Sequence, residues 1–278
     1  MALPDDGFLT PEIGSWGEDK YDLVKKYAEM FATSMKRKWD ARAYVDLFSG
    51  PGRAKIEGSG KIVNGSPLIA IDVKDPFDKY IFCEENSEKL EALKARVQNH
   101  YASLNVAFIH GDANKVVKKI LDELPYSSER KMLGFCFADP YKLKNLQFST
   151  ISALSERFMD FLILIPTGMD ALRNRALYEK PTDITVANFL GDPEWRNLWQ
   201  AAQKQGVKFD RFLIEAYERQ MSNLNYIYGG TQDSVLIRST EKKLRLYRLG
   251  FFSRHPRGQE FWNEARKYSQ HQGDLFRD

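Results

Sequence analysis

The sequence predicts an α/β fold in which a mostly parallel β-sheet is covered by helices on both faces and ends in an antiparallel hairpin. Short apolar runs typical of buried strands alternate five times with helical patterns before Pro166. After a mainly helical stretch, two further strand patterns follow at 234–238 and 244–252, separated by a polar turn at Ser239–Lys243. This spacing is typical of a hairpin.

The first element is an amphipathic helix from Lys20 to about Trp39, whose apolar residues recur at the helical period. The five predicted strands span 43–48, 80–83, 106–109, 133–138 and 161–165. Helical patterns separate them: one begins near Ser66, as N-cap, and Pro67, others follow at 90–97 and 116–124, and one covers 149–158. Residues 182–224 are also predicted to be helical.

These patterns predict a simple domain organisation. Residues 1–18 lack a hydrophobic period and are expected to be an irregular segment without a functional role. Residues 19–278 form the α/β domain, with a helical insertion at about 175–230. The loop from Arg53 to Asn64 contains Gly58 and Gly60 and is expected to act as a mobile lid.

Composition fits a globular protein and excludes a disordered, collagen-like or coiled-coil chain. Of the 278 residues, 43% are hydrophobic and 28% charged, and the net charge of +3 permits a polyanionic partner without indicating one. The N-terminus lacks a signal-peptide pattern, and no apolar run reaches the roughly 18 residues that span a bilayer. We therefore expect a cytoplasmic protein that does not enter a membrane.

The two cysteines, Cys83 and Cys136, each lie in an apolar run. They have neither the paired spacing of a zinc site nor the density of a disulfide-rich scaffold. Both are predicted to be reduced and buried, and no metal site is predicted.

Acidic side chains follow four successive predicted strands, at Asp46, Glu84, Asp112 and Asp139. Ligands of open α/β sheets bind beyond the carboxyl ends of the strands, where an acid can hold ribose hydroxyls or an amino group. The series favours a ligand that carries a nucleoside. Structural alternatives remain for single residues, since Asp112 can cap a helix and Glu84 can be a solvated acid in a first helical turn.

The glycine patterns narrow the choice of ligand. The turn Gly50-Pro51-Gly52 lacks the third glycine of a dinucleotide fingerprint, and Gly58-Ser59-Gly60-Lys61 is followed by Ile62 where a phosphate loop has Ser or Thr. A ligand with adenine, ribose and a cationic sulfonium but no phosphate suits this site. S-adenosylmethionine has that chemistry.

Several segments together resemble the three-Cys-motif partner family, a branch of the Rossmann-like class I S-adenosylmethionine-dependent methyltransferases. The segments are Tyr44–Gly52, Gly65–Ala70, Ala138–Tyr141, Pro166–Asp170 and Ser253–Gly258. The resemblance extends from about residue 15 to 265. It implies the class I methyltransferase sheet, S-adenosylmethionine as cofactor, and a partner protein with a cysteine motif similar to radical S-adenosylmethionine enzymes.

The resemblance also implies site residues. The expected cofactor-binding residues are Asp46, Phe48, Gly50, Gly52, Glu84 and Asp112. Among them, Glu84 is expected at the ribose and Asp112 at the adenine. Asp139-Pro140-Tyr141 is similar to the fourth motif of amino-methyltransferases, with one proline where that motif has two. Asp139 would accept a hydrogen bond from the attacking amine and Tyr141 would stack on a base.

The expected function is methyl transfer to an amino group, with a nucleic-acid base as one acceptor. The alternative is a non-catalytic protein that binds the cofactor and serves as scaffold for a three-Cys-motif protein. A nucleotide hydrolase is disfavoured because the sequence lacks a phosphate loop.

Two further regions bear on a substrate. Residues 241–271 hold eight Lys or Arg against three acids, with interleaved aromatic residues that suit contact with nucleic acid, although the aromatics are equally typical of a core strand and a packed helix. Near the fifth strand, four residues are expected to shape the substrate side: Met169, Asp170, Arg173 and Arg175. His255 is interpreted as structural.

Overall fold

The computed structural model describes residues 3–127, 129–227, 234–239 and 244–267. Most of the predicted hairpin turn, at 240–243, therefore lies outside the described residues, as do Lys242, Lys243 and the end of the basic segment at 268–271.

The strands and helices include those that the sequence predicts, in the predicted order, together with three short strands that it does not predict. In chain order they are β1 (Glu12–Ile13), α1 (Gly17–Met35), β2 (Ala41–Asp46), β3 (Arg53–Ile56), β4 (Ile62–Asn64), α2 (Ser66–Ile71), β5 (Lys79–Glu84), α3 (Ser87–His100), β6 (Val106–His110), α4 (Ala113–Asp122), β7 (Met132–Ala138), α5 (Phe148–Leu154), β8 (Met159–Ile165), α6 (Arg175–Tyr178), α7 (Thr185–Leu190), α8 (Trp195–Lys204), α9 (Phe209–Asn223), β9 (Val235–Arg238), β10 (Arg245–Phe252) and α10 (Pro256–Lys267). A 3-10 helix (Leu143–Asn145) follows β7, and a π-helical turn (Thr167–Ala171) follows β8.

The main sheet has seven strands in the order β6-β5-β2-β7-β8-β10-β9. The pairs from β6 to β8 are parallel, whereas β10 runs antiparallel to both β8 and β9. The strand order reverses beside β2, so β2 and β7 flank the switch point where α/β sheets bind ligands. The predicted fold class, a Rossmann-like α/β fold with a mostly parallel sheet, a C-terminal antiparallel hairpin and an inserted helical segment, is confirmed.

The sheet separates two hydrophobic clusters. One cluster packs α1, α2, α3 and α10 against the sheet, and the other packs α4, α5 and the helices of the predicted insertion. All six residues of β2 are buried, as expected for a strand covered on both faces. Cys83 and Cys136 are free and buried in this core, as predicted.

The N-terminal segment departs from its prediction. Glu12–Ile13 forms β1, which pairs in parallel with β3, and the first helix begins at Gly17. The expectation of an irregular segment missed β1 because two residues are too few to show a period of two.

The predicted loop from Arg53 to Asn64 is also corrected, while its action as a lid stays a prediction. Arg53–Ile56 and Ile62–Asn64 pair as an antiparallel hairpin, which β1 extends to a three-stranded sheet. Gly58 and Gly60 have φ of +83° and +67°, so they form the turn of this hairpin. The segment is a hydrogen-bonded β-structure and not a free loop.

The start of α2 differs by one residue from the prediction. Gly65 is the N-cap, in extended conformation, and Ser66 is the first helical residue. The Ser66 hydroxyl does not cap the helix, because it forms a hydrogen bond with the carboxylate of Asp46. That bond connects α2 to the end of β2.

Within the described residues, no helix is both long and apolar enough to cross a membrane.

Candidate functional site

A cavity of about 540 Å³ lies beyond the carboxyl ends of β2, β7 and β8. It brings together six of the predicted site residues: Phe48, Gly50, Gly52, Asp139, Pro140 and Tyr141. Residues from separate strand ends meet here because parallel strands end at one edge of the sheet. Tyr141 is 69% exposed, so its ring is available at the mouth of the cavity.

Asp46 is not among the residues that line the cavity and is fully buried. Its carboxylate accepts hydrogen bonds from the backbone N–H of Phe48 at 3.1 Å and from the hydroxyls of Tyr44 and Ser66. Burial raises the pKa of Asp46 to about 7, because these hydrogen bonds compensate only part of the lost hydration. Asp46 therefore positions the turn that follows β2, and the direct contact with cofactor expected of it stays a prediction.

Glu84 and Asp112 are absent from the lining of this cavity. The Glu84 carboxylate accepts the backbone N–H groups of Gly50 at 2.9 Å and Asn86 at 2.8 Å, so it fixes the glycine turn from the neighbouring strand. Asp112 is the N-cap of α4 and accepts the N–H of Asn114 at 2.9 Å, which is the structural alternative considered above. Their contacts with ribose and adenine stay predictions.

The two glycines of the turn differ in their surroundings. Gly50 has φ of +61°, and a Cβ built there meets no atom within 4 Å, so the backbone presents open space to a ligand. Gly52 has φ of +88°, and its Cβ would lie 2.8 Å from a methyl group of Leu93. Gly50 therefore leaves room for a ligand, and Gly52 leaves room for α3.

An ion pair between Lys20 and Asp139 crosses the cavity wall from α1 to the end of β7. The two side chains are only 11% and 21% exposed. Burial by itself lowers the pKa of Lys20, but the charge of Asp139 and smaller neighbouring contributions outweigh it, and the pKa is held well above its ordinary value. Lys20 is therefore a fixed cation at this site.

Two buried hydroxyls at the cavity have no hydrogen-bond partner among the described residues. They are Ser49 Oγ, in the glycine turn, and Tyr247 Oη, on β10. The residues are 4% and 2% exposed. Buried polar groups without a partner are rare in native proteins, and such groups beside a cavity are typical of a polar ligand site.

The N-terminal segment contributes to the cavity, contrary to the sequence-based expectation. Pro11, Glu12 and Trp16 are among its lining residues. Arg96 on α3 holds this segment in place: its guanidinium donates to both carboxylate oxygens of Asp6, at 2.7 and 2.8 Å, and to the carbonyl of Pro51 at 2.6 Å.

Sequence reasoning missed Lys20, Trp16 and Tyr247 as site residues. A signal existed for Lys20, which shares the buried helix face of Leu23, Val24 and Tyr27. A lysine in line with an apolar stripe indicates a buried charge that needs a partner.

The four residues expected at the substrate rim divide into two pairs. Met169 and Arg173 line the cavity. Asp170 is buried and structural, since it accepts hydrogen bonds from the backbone N–H of Leu143 at 2.7 Å and the hydroxyl of Tyr178 at 2.8 Å. Arg175 turns away and pairs with Glu179 at 2.9 Å. For Asp170 and Arg175 the prediction is wrong: Asp170, in the π-helical turn after β8, bonds to Leu143 and Tyr178, and Arg175, at the start of α6, pairs with Glu179.

Most of the aromatic residues in the basic segment at 241–271 belong to the hydrophobic core. Tyr247, Phe251, Phe252 and Trp262 are at most 2% exposed, which matches the alternative interpretation of them as core. His255 Nδ1 accepts the backbone N–H of Arg257 at 3.1 Å, in the first turn of α10, as a structural residue would.

Comparison with known proteins supports the fold alone. Neither a scan against protein-family models nor a search of curated proteins finds a match. Among solved structures, protein LPL1258 from Legionella pneumophila is 14% identical, with a TM-score of 0.50 over 91% of this chain and 93% of that one.

Two further similar structures have lower scores. Trm1 from Pyrococcus horikoshii, solved with S-adenosyl-L-methionine, is 10% identical with a TM-score of 0.44, over 87% of this chain and 57% of that one. TYW2 from M. jannaschii, solved with AdoMet, is 11% identical with a TM-score of 0.38, over 87% and 78%.

Proposed function

We propose that this protein is an S-adenosylmethionine-dependent methyltransferase that acts on an amino group, with a nucleic-acid base as one acceptor. The observation that carries the proposal is the cavity at the switch point. There the glycine turn after β2 faces Asp139-Pro140-Tyr141 after β7. A cofactor held at the first segment would place its reactive end near the second.

The residues present fit this cofactor. The cavity of about 540 Å³ is within the usual range for a small-molecule site. Gly50 leaves open space for close approach to the backbone, and the unpaired Ser49 Oγ offers a hydrogen bond to a polar ligand. When bound, S-adenosylmethionine supplies an electrophilic methyl group on a sulfonium.

The chain's own residues then bind and orient the acceptor. Asp139 accepts a hydrogen bond from the amino group, and the exposed ring of Tyr141 stacks on the base. The ammonium of Lys20 shares the carboxylate of Asp139, so the amine competes for it. The site therefore favours positioning of the amine over strong base catalysis.

The same ion pair favours a second candidate, a non-catalytic cofactor-binding protein that is the scaffold for a three-Cys-motif partner. A carboxylate neutralised by Lys20 is a weaker acceptor for an amine, while the glycine turn on the cofactor side of the cavity involves neither residue. This alternative rests on the sequence resemblance for the nature of its partner.

Calorimetric titration with S-adenosylmethionine and S-adenosylhomocysteine tests cofactor binding. We expect micromolar affinity, with a Kd raised by about tenfold or more in Glu84→Gln and unchanged in Glu85→Gln, the exposed neighbour. Absence of binding by the intact protein would overturn both candidates.

Transfer of a labelled methyl group to tRNA, rRNA and DNA distinguishes the two candidates. Asp139→Asn should retain cofactor affinity and lose most of the transfer if the protein is an enzyme. Cofactor binding without transfer to any acceptor, together with capture of a three-Cys-motif protein, would support the scaffold.

A further inference from the structure

A second cavity, of about 460 Å³, lies at the opposite end of the sheet. Leu133 and Met159, near the starts of β7 and β8, line it, whereas the cofactor cavity follows the ends of the same strands. Because each strand has seven residues, the two cavities are about 20 Å apart. A ligand in one does not touch the other.

Four cationic residues line this second cavity: Lys38 after α1, Lys131 before β7, and Arg254 and Arg257 just before and at the start of α10. Arg254 donates to the backbone carbonyl of Leu224 at 3.2 Å and lies over the ring of Tyr226, which leaves Lys38, Lys131 and Arg257 as the three exposed cations. In the part of the chain that the structure describes, none of the three side chains pairs with a carboxylate. The N-terminus of the 12-residue α10 adds the positive end of its dipole.

The acids near the cavity are occupied by other partners. Asp160, the acid in its lining, is 7% exposed and accepts hydrogen bonds from Tyr27 at 2.8 Å and from Ser253. Asp40 accepts the backbone N–H of Lys131 at 2.8 Å. Among the described residues, neither Asp160 nor Asp40 forms an ion pair with Lys38, Lys131 or Arg257, so these three cations remain available to an anion.

The cavity also has an aromatic wall. The rings of Trp39 and Phe158 are in contact, with centroids 5.3 Å apart and planes tilted by 55°, and Phe158 is 49% exposed. Phe261 of α10 lies in the same lining. One exposed and two half-buried aromatic rings next to cations without a carboxylate partner suit a molecule that joins a planar ring to an anionic group.

We propose that this second cavity binds an aromatic phosphate, of which a mononucleotide is the representative. The ring packs against Trp39 and Phe158, and the phosphate lies among Lys38, Lys131 and Arg257. The site is separate from the methyl-transfer cavity and does not depend on the function proposed for it.

Uridine 5′-monophosphate is the probe, because it lacks the adenine that the cofactor cavity is expected to accept. Titration is followed by calorimetry and by tryptophan fluorescence, with and without saturating S-adenosylhomocysteine. We expect a Kd at least about tenfold lower than those of uridine and of inorganic phosphate, unchanged by S-adenosylhomocysteine. Phenyl phosphate in a parallel titration shows whether the ring and phosphate suffice without the sugar.

Variants locate the site. Lys38→Ala/Lys131→Ala should raise the Kd about tenfold, whereas the matched control Lys25→Ala/Lys144→Ala, which removes two exposed lysines outside both cavities, should leave it within about twofold. Trp39→Phe should remove most of the fluorescence change. The proposal is overturned if uridine 5′-monophosphate fails to bind at about 1 mM, if S-adenosylhomocysteine displaces it, or if both double variants behave alike.

Discussion

Lys20 and Asp139, 119 residues apart in the sequence, form an ion pair in the wall of the candidate cofactor cavity. The pair joins α1, which precedes the first strand of the main sheet, to the segment after β7. Asp139 is the residue proposed to position the acceptor. Because its carboxylate is paired with Lys20, a change of its charge also changes the stability of the fold.

A double-mutant cycle with Lys20→Met and Asp139→Asn should show a coupling of about 1–3 kcal/mol in the free energy of unfolding, because each single variant leaves a poorly hydrated charge without its partner. Urea unfolding measures it. The exposed pair Lys118–Asp122 on α4 is the control, with about 0.3–0.5 kcal/mol expected. Equal coupling energies in the two cycles would contradict the claim that burial strengthens the Lys20–Asp139 pair.

Asp46 should make stability depend on pH. Its pKa is about 7 in the folded protein against an ordinary 3.8, so between these values the folded state binds more protons than the unfolded chain. Protonation of Asp46 therefore contributes to the free energy of unfolding. The contribution is complete below about pH 4 and is lost as the pH rises to about 7.

The variant Asp46→Asn should therefore gain stability relative to the wild type across that window, by up to about 4 kcal/mol, and show a constant difference above it. Unfolding of both proteins in urea from pH 4 to 8 measures the difference. Asp122→Asn, at an exposed position, should show no such trend. Parallel stability curves for wild type and Asp46→Asn would show that the buried carboxyl titrates normally.

The two glycines of the turn should respond differently to alanine. Gly50→Ala adds backbone strain of about 1–2 kcal/mol and places a methyl group in the cavity, so we expect a roughly tenfold weaker binding of S-adenosylmethionine. Gly52→Ala adds the same strain and a contact at 2.8 Å with Leu93, so it should unfold more easily. Thermal unfolding and calorimetry separate the two effects.

Gly206→Ala is the matched control, since Gly206 has φ of +76° and open surroundings far from the turn. Gly206→Ala should lose about as much stability as Gly50→Ala, and its affinity for S-adenosylmethionine should not change. If Gly50→Ala binds the cofactor as tightly as Gly206→Ala, the ligand does not approach Gly50.

Asp170→Asn should reduce stability by about 2–4 kcal/mol, because a buried carboxylate that accepts several hydrogen bonds loses part of its network. Tyr178→Phe removes one of these bonds and should have a smaller effect, of about 1 kcal/mol. S-adenosylmethionine affinity should stay within about twofold in both variants. If Asp170→Asn lost S-adenosylmethionine affinity and Tyr178→Phe did not, Asp170 would have a role in ligand binding and the structural interpretation would be contradicted.

The sequence by itself determined the order of the strands and helices that build the main sheet, because hydrophobic periods of 2 and 3.6 are local properties. It missed β1, β3 and β4, which are too short to show such a period. It also predicted that residues after β2 and β7 would meet, since parallel strands end together; Gly50 and Asp139 line one cavity. Tertiary structure decided the rest.

Lys20 becomes a site residue only because α1 packs beside β7, and Trp16 only because Arg96 holds the N-terminal segment against the glycine turn. Asp170 leaves the site because the π-helical turn directs it inward, toward Tyr178. These contacts join residues distant in the chain, and their free energy depends on burial and charge in the folded state, which no local pattern records.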